Sequence, residues 1–141
     1  MSETLVQPYL FFGGRCEEAL EFYQRALGAQ AGEIYRYRDS PDPVPPGAIP
    51  EGFEDKVMHT SLTVGSTTLL LSDGCEQGQG HAGYSLSLTV PSEGDADRVF
   101  AALAAGGKVD MPLCKTFWSP RFGMLTDRFG IGWMISVAPE A

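Results

Sequence analysis

The property that most constrains this 141-residue chain is a repetition of pattern rather than of residues. The first copy reads as a strand over residues 5–12, an amphipathic helix over 15–27, a further strand, and a hairpin turning on Val64-Gly65-Ser66. The second reads as a strand over 84–90, a helix over 93–105, and a hairpin around Phe129-Gly130-Ile131-Gly132. Tyr23 and Leu62 stand 39 positions apart, whereas their counterparts Phe100 and Leu125 stand 25 apart. The excess of 14 is close to the length of one proline-rich stretch in the first copy, so a single insertion reconciles the two. The expectation is one domain, 1–141, built from βαβββ copies at about 4–73 and 83–138. A duplicated unit of this kind builds a cup between its copies.

Local signals support the reading. Val6, Leu10 and Phe12 alternate with Gln7, Tyr9 and Phe11, so the first strand has two chemically different faces. Cys16, Ala19, Leu20, Tyr23, Ala26 and Leu27 follow helical spacing, and Gly28 stands where a left-handed cap ends the helix. Ile34, Tyr35 and Tyr37 suggest a second strand. Strands follow over 57–64 and 67–72, and Tyr84, Leu86, Leu88 and Val90 alternate with Ser85, Ser87 and Thr89. Ser92 and Asp95 have capping-box spacing before a helix that buries Ala96, Val99, Phe100, Leu103 and Ala104 and stops at Gly106-Gly107. Further strands are expected over 109–118, 122–127 and 131–137. Pro41, Pro43, Pro45, Pro46 and Pro50 keep the loop 38–56 out of ladder and helix alike, which makes it either a cover for the cup or for a partner chain, or a solvated excursion.

Composition excludes several classes. A net charge of −8 with no basic cluster argues against nucleic-acid binding. No apolar run approaches the ~18 residues of a membrane span, and Met1-Ser2-Glu3-Thr4 lacks the basic start of a signal peptide. Cys16, Cys75 and Cys114 are odd in number and show no paired spacing, as expected of reduced thiols in the cytoplasm. Neither a Rossmann pattern nor a glycine-rich nucleotide loop after a strand is present.

The run Lys115-Thr116-Phe117-Trp118-Ser119-Pro120-Arg121-Phe122-Gly123, followed by Thr126-Asp127-Arg128-Phe129-Gly130 and Trp133, resembles the glyoxalase/bleomycin-resistance/extradiol-dioxygenase (vicinal oxygen chelate) superfamily, in its PhnB-like branch. Gln7-Pro8-Tyr9-Leu10, His59-Thr60-Ser61-Leu62 and Leu71-Ser72-Asp73 add to the likeness, which spans about residues 4 to 138. The resemblance implies an α+β fold: two βαβββ modules forming a cup-shaped mixed sheet, helices on its outer face, and usually a dimer.

Metalloenzymes of that superfamily hold a divalent ion with His or Glu from the first strand of each module and the last strand of the second. Carried over, those places fall on Gln7, Ser85 and Met134. An amide oxygen is an acceptable ligand, a serine hydroxyl a poor one, and a thioether is too soft for the ions concerned. No metal and no other cofactor are therefore expected.

The expected function is a metal-free homodimer that binds an aromatic or cationic small molecule. Its pocket would be lined by Gln7, Tyr9, Phe11, His59, Ser85, Phe117, Trp118, Arg121, Phe122 and Met134, with Arg121 clamping a carboxylate. The alternative is a divalent-metal-dependent lyase, isomerase or dioxygenase with His59 as ligand or catalytic base. Asp73 or Glu76 would complete a makeshift site beside His59. Asp73 otherwise reads as a turn residue, Asp127 as the start of a β-turn, His81 as a solvated loop residue and Cys114 as a buried apolar group.

Overall fold

The computed structural model describes residues 4–41, 45, 47–74 and 80–138. The chain divides into two compact units, Met1–Gln79 and Gly80–Ala141, each carrying one copy of the repeat. In the first, strand β1 (Tyr9–Phe11) leads into helix α1 (Cys16–Leu27), then β2 (Gln30–Ala31), β3 (Tyr35–Arg36), β4 (Val57–Val64) and β5 (Thr67–Ser72). In the second, β6 (Leu86–Val90) precedes helix α2 (Glu93–Ala104), β7 (Lys108–Cys114), β8 (Phe122–Thr126) and β9 (Gly132–Val137).

Both sheets have the same order. In the first, β1 lies beside β5, then β4, with the short β2 and β3 on the far edge; in the second the order is β6-β9-β8-β7. The opening strand of each unit pairs in parallel with the last, Leu10 with Leu71 and Leu88 with Ile135, while the remaining neighbours are antiparallel. A helix between the first two strands carries the chain across the sheet, which is why the first strand ends beside the last and not beside its successor.

Each sheet buries one face against its helix. Leu10, Phe12, Leu62, Leu69 and Leu71 are buried with Cys16, Ala19, Leu20 and Tyr23 of α1. Val90, Leu125, Trp133, Ile135 and Val137 are buried with Ala96, Val99, Phe100 and Leu103 of α2. Gly28 takes a φ of 65° and its N–H bonds the Gln24 carbonyl, the expected left-handed stop. Gly123 is required for a different reason: a Cβ there would stand 2.8 Å from the Phe100 ring and 3.0 Å from the Met111 carbonyl oxygen. Helix α2 could not seat on β8 over any larger residue.

Several elements differ from the sequence expectation. Strand β1 begins at Tyr9, because Pro8 has no N–H for the ladder and offers only its carbonyl, to the Leu70 N–H at 3.0 Å. Val6 is consequently 96% exposed. The second strand is broken into β2 and β3, and Tyr37 opens a 3-10 turn in place of continuing it. Strand β7 stops at Cys114, after two register shifts against β8, and residues 115–121 form a loop.

The described part of the loop 38–56 is rooted rather than free. Phe53 and Tyr37 are buried, and the Tyr37 hydroxyl donates to the Gly74 carbonyl at 2.5 Å. Arg36 forms a two-nitrogen pair with Glu17 of α1 at 3.0 Å each, and Arg38 pairs with Asp55. No helix among the described residues is long and apolar enough to cross a membrane.

Candidate ligand-binding faces

The face of the first sheet turned away from α1 carries the aromatic members of β1. Alternation along that strand sends Leu10 into the core and leaves Tyr9 and Phe11 on the other side, 42% and 40% exposed. Their rings stack at 5.0 Å between centroids with 14° between planes. The Tyr9 hydroxyl reaches across β5 to His59 on β4, with Oη 3.0 Å from Nδ1. Tyr35 lies opposite His59 on β3, and its hydroxyl donates to the Glu33 carboxylate at 2.8 Å. Burial, and secondarily the Cys16 thiol beneath, raise the Tyr9 pKa and keep the phenol protonated. Gln7 is exposed before the strand and donates weakly to the Thr68 carbonyl at 3.4 Å. Gln7, Tyr9, Phe11 and His59 thus belong to one unit.

Asp73 is not available to this face. It is 1% exposed and accepts three backbone N–H bonds, from Gly14 and Cys16 on Oδ1 and from Val57 on Oδ2, all at 2.8 Å. Arg15 gives α1 no side-chain cap, so Asp73 supplies the negative charge at that helix start from 57 positions away from Cys16. The alternative that would complete a makeshift metal site at His59 with Asp73 is thereby ruled out, and Glu76, its other candidate, lies outside the described residues. Cys16 is buried, and burial first, then Asp73 and Glu17, push its thiol well above the ordinary range. It is a packing residue, not a nucleophile.

The second unit gathers Phe117, Trp118 and Phe122. Trp118 sits edge-on to both neighbours, 4.7 Å from Phe117 and 5.3 Å from Phe122 between centroids. Phe117 is 97% exposed and Trp118 45%. The loop that presents them is pinned by Ser119, a buried residue that sequence reasoning passed over. Its Oγ lies 2.8 Å from the Arg121 carbonyl and 2.7 Å from that of Val137, and accepts from the Val137 N–H at 3.1 Å. A cavity of about 600 Å³ opens beside this loop, between Lys115–Phe117, Pro91–Glu93 and the end of β9.

Arg121 does not join the aromatic cluster. Phe122 alternates onto the face away from α2, which sends Arg121 the other way to pair with Asp97 of that helix at 2.7 Å. Met134 and Phe122 lie on the face away from α2, where Met134 stands between Ser87 of β6 and Met124 of β8. Ser85 is exposed and precedes β6.

His81 is not simply solvated. Its Nδ1 lies 2.7 Å from the Tyr84 hydroxyl, and burial lowers its pKa against the opposing pull of Asp127. Asp127 is buried and accepts from the N–H groups of Phe129 and Ile131 and from the Trp133 indole at 2.9 Å. Cys114 is exposed rather than buried, because strand β7 is an edge strand; Cys75 lies outside the described residues.

The three places that the resemblance assigns to metal ligation do not suit a divalent ion. Gln7 is turned to a backbone carbonyl, Ser85 offers a hydroxyl outside the strand, and Met134 a thioether. No group of three His, Cys, Asp or Glu side chains among the described residues converges as a metal site.

Two units of β-α-β-β-β with a parallel first–last pair, each with one face left to aromatic and polar side chains, define the class. The sequence matches the Glyoxalase/Bleomycin resistance protein/Dioxygenase superfamily over residues 6–135, and the chain belongs to that family. It is 32% identical to protein YjdN of Escherichia coli K12 over 141 residues, 96% of each chain. It is similar in structure to protein PA1353 of Pseudomonas aeruginosa, with 41% identity, a TM-score of 0.84, and 98% and 100% of the two chains covered. A PhnB protein of Bacillus cereus is 28% identical with a TM-score of 0.77, over 96% of this chain and 100% of that one.

Proposed function

We propose that this protein is a small-molecule-binding member of its superfamily that acts as a cytoplasmic homodimer and binds without a metal. The observation that carries the reading is the row of Phe11, Tyr9 and His59 across an ordered sheet. On the edge strand β1, a stacked aromatic pair held 40–42% exposed beside a hydrogen-bonded imidazole is a ready surface for a flat ligand. The donor set at Gln7, Ser85 and Met134 supports metal-free binding through its chemistry.

In this reading affinity comes from aromatic area, supplied by Tyr9 and Phe11 in one unit and by Phe117, Trp118 and Phe122 in the other. Gln7, Ser85 and His59 are polar anchors, and Met134 is an adaptable apolar contact. Arg121 takes part only if a ligand carboxylate draws it away from Asp97. The negative charge of −8 favours cationic over anionic ligands at a distance.

The test is elemental analysis of tag-free protein with thermal melts on adding zinc, nickel, manganese or iron. Far less than one metal per chain, and no ion that raises the melting temperature, is the expected result. About one metal per chain, or a rise of several degrees with one ion, would replace this reading with the metalloenzyme, and His59→Ala would then be the first variant to assay.

A further inference from the structure

We propose that the first unit recognises a flat aromatic molecule bearing a carbonyl-type acceptor at its edge, with the ring seated against Tyr9 and Phe11 and the acceptor bonded to His59 Nε2. The inference rests on the binding reading above and names the ligand class for one of its two aromatic faces.

The argument starts from which partner holds the proton in the Tyr9–His59 contact. A phenol is a far stronger acid than a neutral imidazole N–H, so in a neutral pair the hydroxyl donates and the ring nitrogen accepts. Burial holds Tyr9 in its protonated, donating form. Nδ1 therefore carries the lone pair, and the ring proton resides on Nε2. Among the described residues, Nε2 makes no hydrogen bond, and no other polar contact competes for it.

The imidazole is thus a donor of fixed tautomer. Tyr9 is held in turn by its stack on Phe11, and Tyr35 stands opposite His59 with its own hydroxyl committed to Glu33. Because Nδ1 faces Tyr9, the Nε2–H points from the far side of the imidazole. A ligand that meets both the rings and this N–H is therefore a planar body long enough to lie across His59 with one acceptor at its far edge. A purely apolar ring would fill the aromatic surface but leave that N–H without an acceptor. A carboxylate would be disfavoured at long range by the chain's net charge of −8.

The experiment uses two isosteric probes, 2-acetylnaphthalene and 2-isopropenylnaphthalene, which differ by a carbonyl oxygen in place of a methylene. Binding of each to the full chain is measured by fluorescence titration, for wild type, His59→Phe, His59→Leu and Phe11→Ala. The wild type should prefer the ketone by about tenfold, the worth of one hydrogen bond. Both His59 variants should lose the preference while still binding the hydrocarbon, and Phe11→Ala should weaken both probes alike. Nitrogen NMR of His59 should find the proton on Nε2, and in Tyr9→Phe a mixture of both tautomers.

Equal binding of the two probes, a preference that survives in both His59 variants, or a proton on Nδ1 in the wild type overturns the inference. If neither probe binds but another small molecule raises the melting temperature, this ligand class is wrong and the general binding reading stands. If no small molecule binds, both fall.

Discussion

At the scale of single residues, two buried carboxylates do structural work, one with partners close in sequence and one with partners far from it. Asp73 and Asp127 each collect three N–H donors, one tying a helix start to two strands, the other closing a turn onto an indole. Asp73→Asn keeps the shape but removes the charge and turns an NH₂ toward N–H groups that need an acceptor. The expected cost is about 3 kcal/mol of stability, from bonds to a charged group left unmade, read by urea unfolding, with loss of helix signal at α1. A change below ~0.5 kcal/mol would mean that water replaces the carboxylate without loss. Asp127 was legible as a turn residue from Asp127-Arg128-Phe129-Gly130. The role of Asp73 was not, because its partners Gly14, Cys16 and Val57 are remote in the chain.

At the scale of elements, the two copies solve the same problem differently. Helix α2 is capped locally, by the Ser92 hydroxyl accepting the Asp95 N–H at 3.1 Å, and that cap was readable from spacing alone. Helix α1 borrows its cap from the end of β5. A similar contrast holds for the aromatic loop 115–121, whose composition signalled a cluster but not what fixes it. Ser119→Ala removes the hydroxyl that joins the loop to β9 and should cost about 1–2 kcal/mol. Trp118 should become more accessible to acrylamide quenching, with Trp133, buried on Asp127, as the unmoved reference. Unchanged quenching would show that the ring contacts with Phe117 and Phe122 hold the loop without Ser119. The strand boundaries that sequence overextended, at 5–8, 84–85 and 115–118, all lie where a partner strand ends or a proline interrupts pairing, which alternation alone does not reveal.

At the scale of the whole molecule, duplication explains both the fold and the way side chains are divided. Each copy buries its aliphatic face under its own helix and leaves the other face to aromatic and hydroxyl side chains. Tyr9, Phe11, Tyr35, Phe117 and Trp118 are exposed aromatic side chains of the kind a second copy would cover. Sedimentation velocity should therefore find a species of about twice the 15.2 kDa chain mass at micromolar concentration, in keeping with the proposed homodimer. A single species at the chain mass across that range would rule the homodimer out and leave the aromatic faces to ligand alone.

What the sequence by itself determined is what periodicity and local chemistry encode: the duplicated β-α-β-β-β order, the core faces of both helices, and the caps at Gly28 and Ser92. Strand alternation also assigned Tyr9 and Phe11 to a common face. Tertiary structure alone decided how remote positions meet. It paired His59 with Tyr9 across an intervening strand, gave Asp73 to a helix 57 residues upstream, turned Arg121 onto Asp97, and set Met134 between Ser87 and Met124. Such contacts depend on strand register and on which strands become neighbours, and a one-residue shift in register moves every side chain to the opposite face.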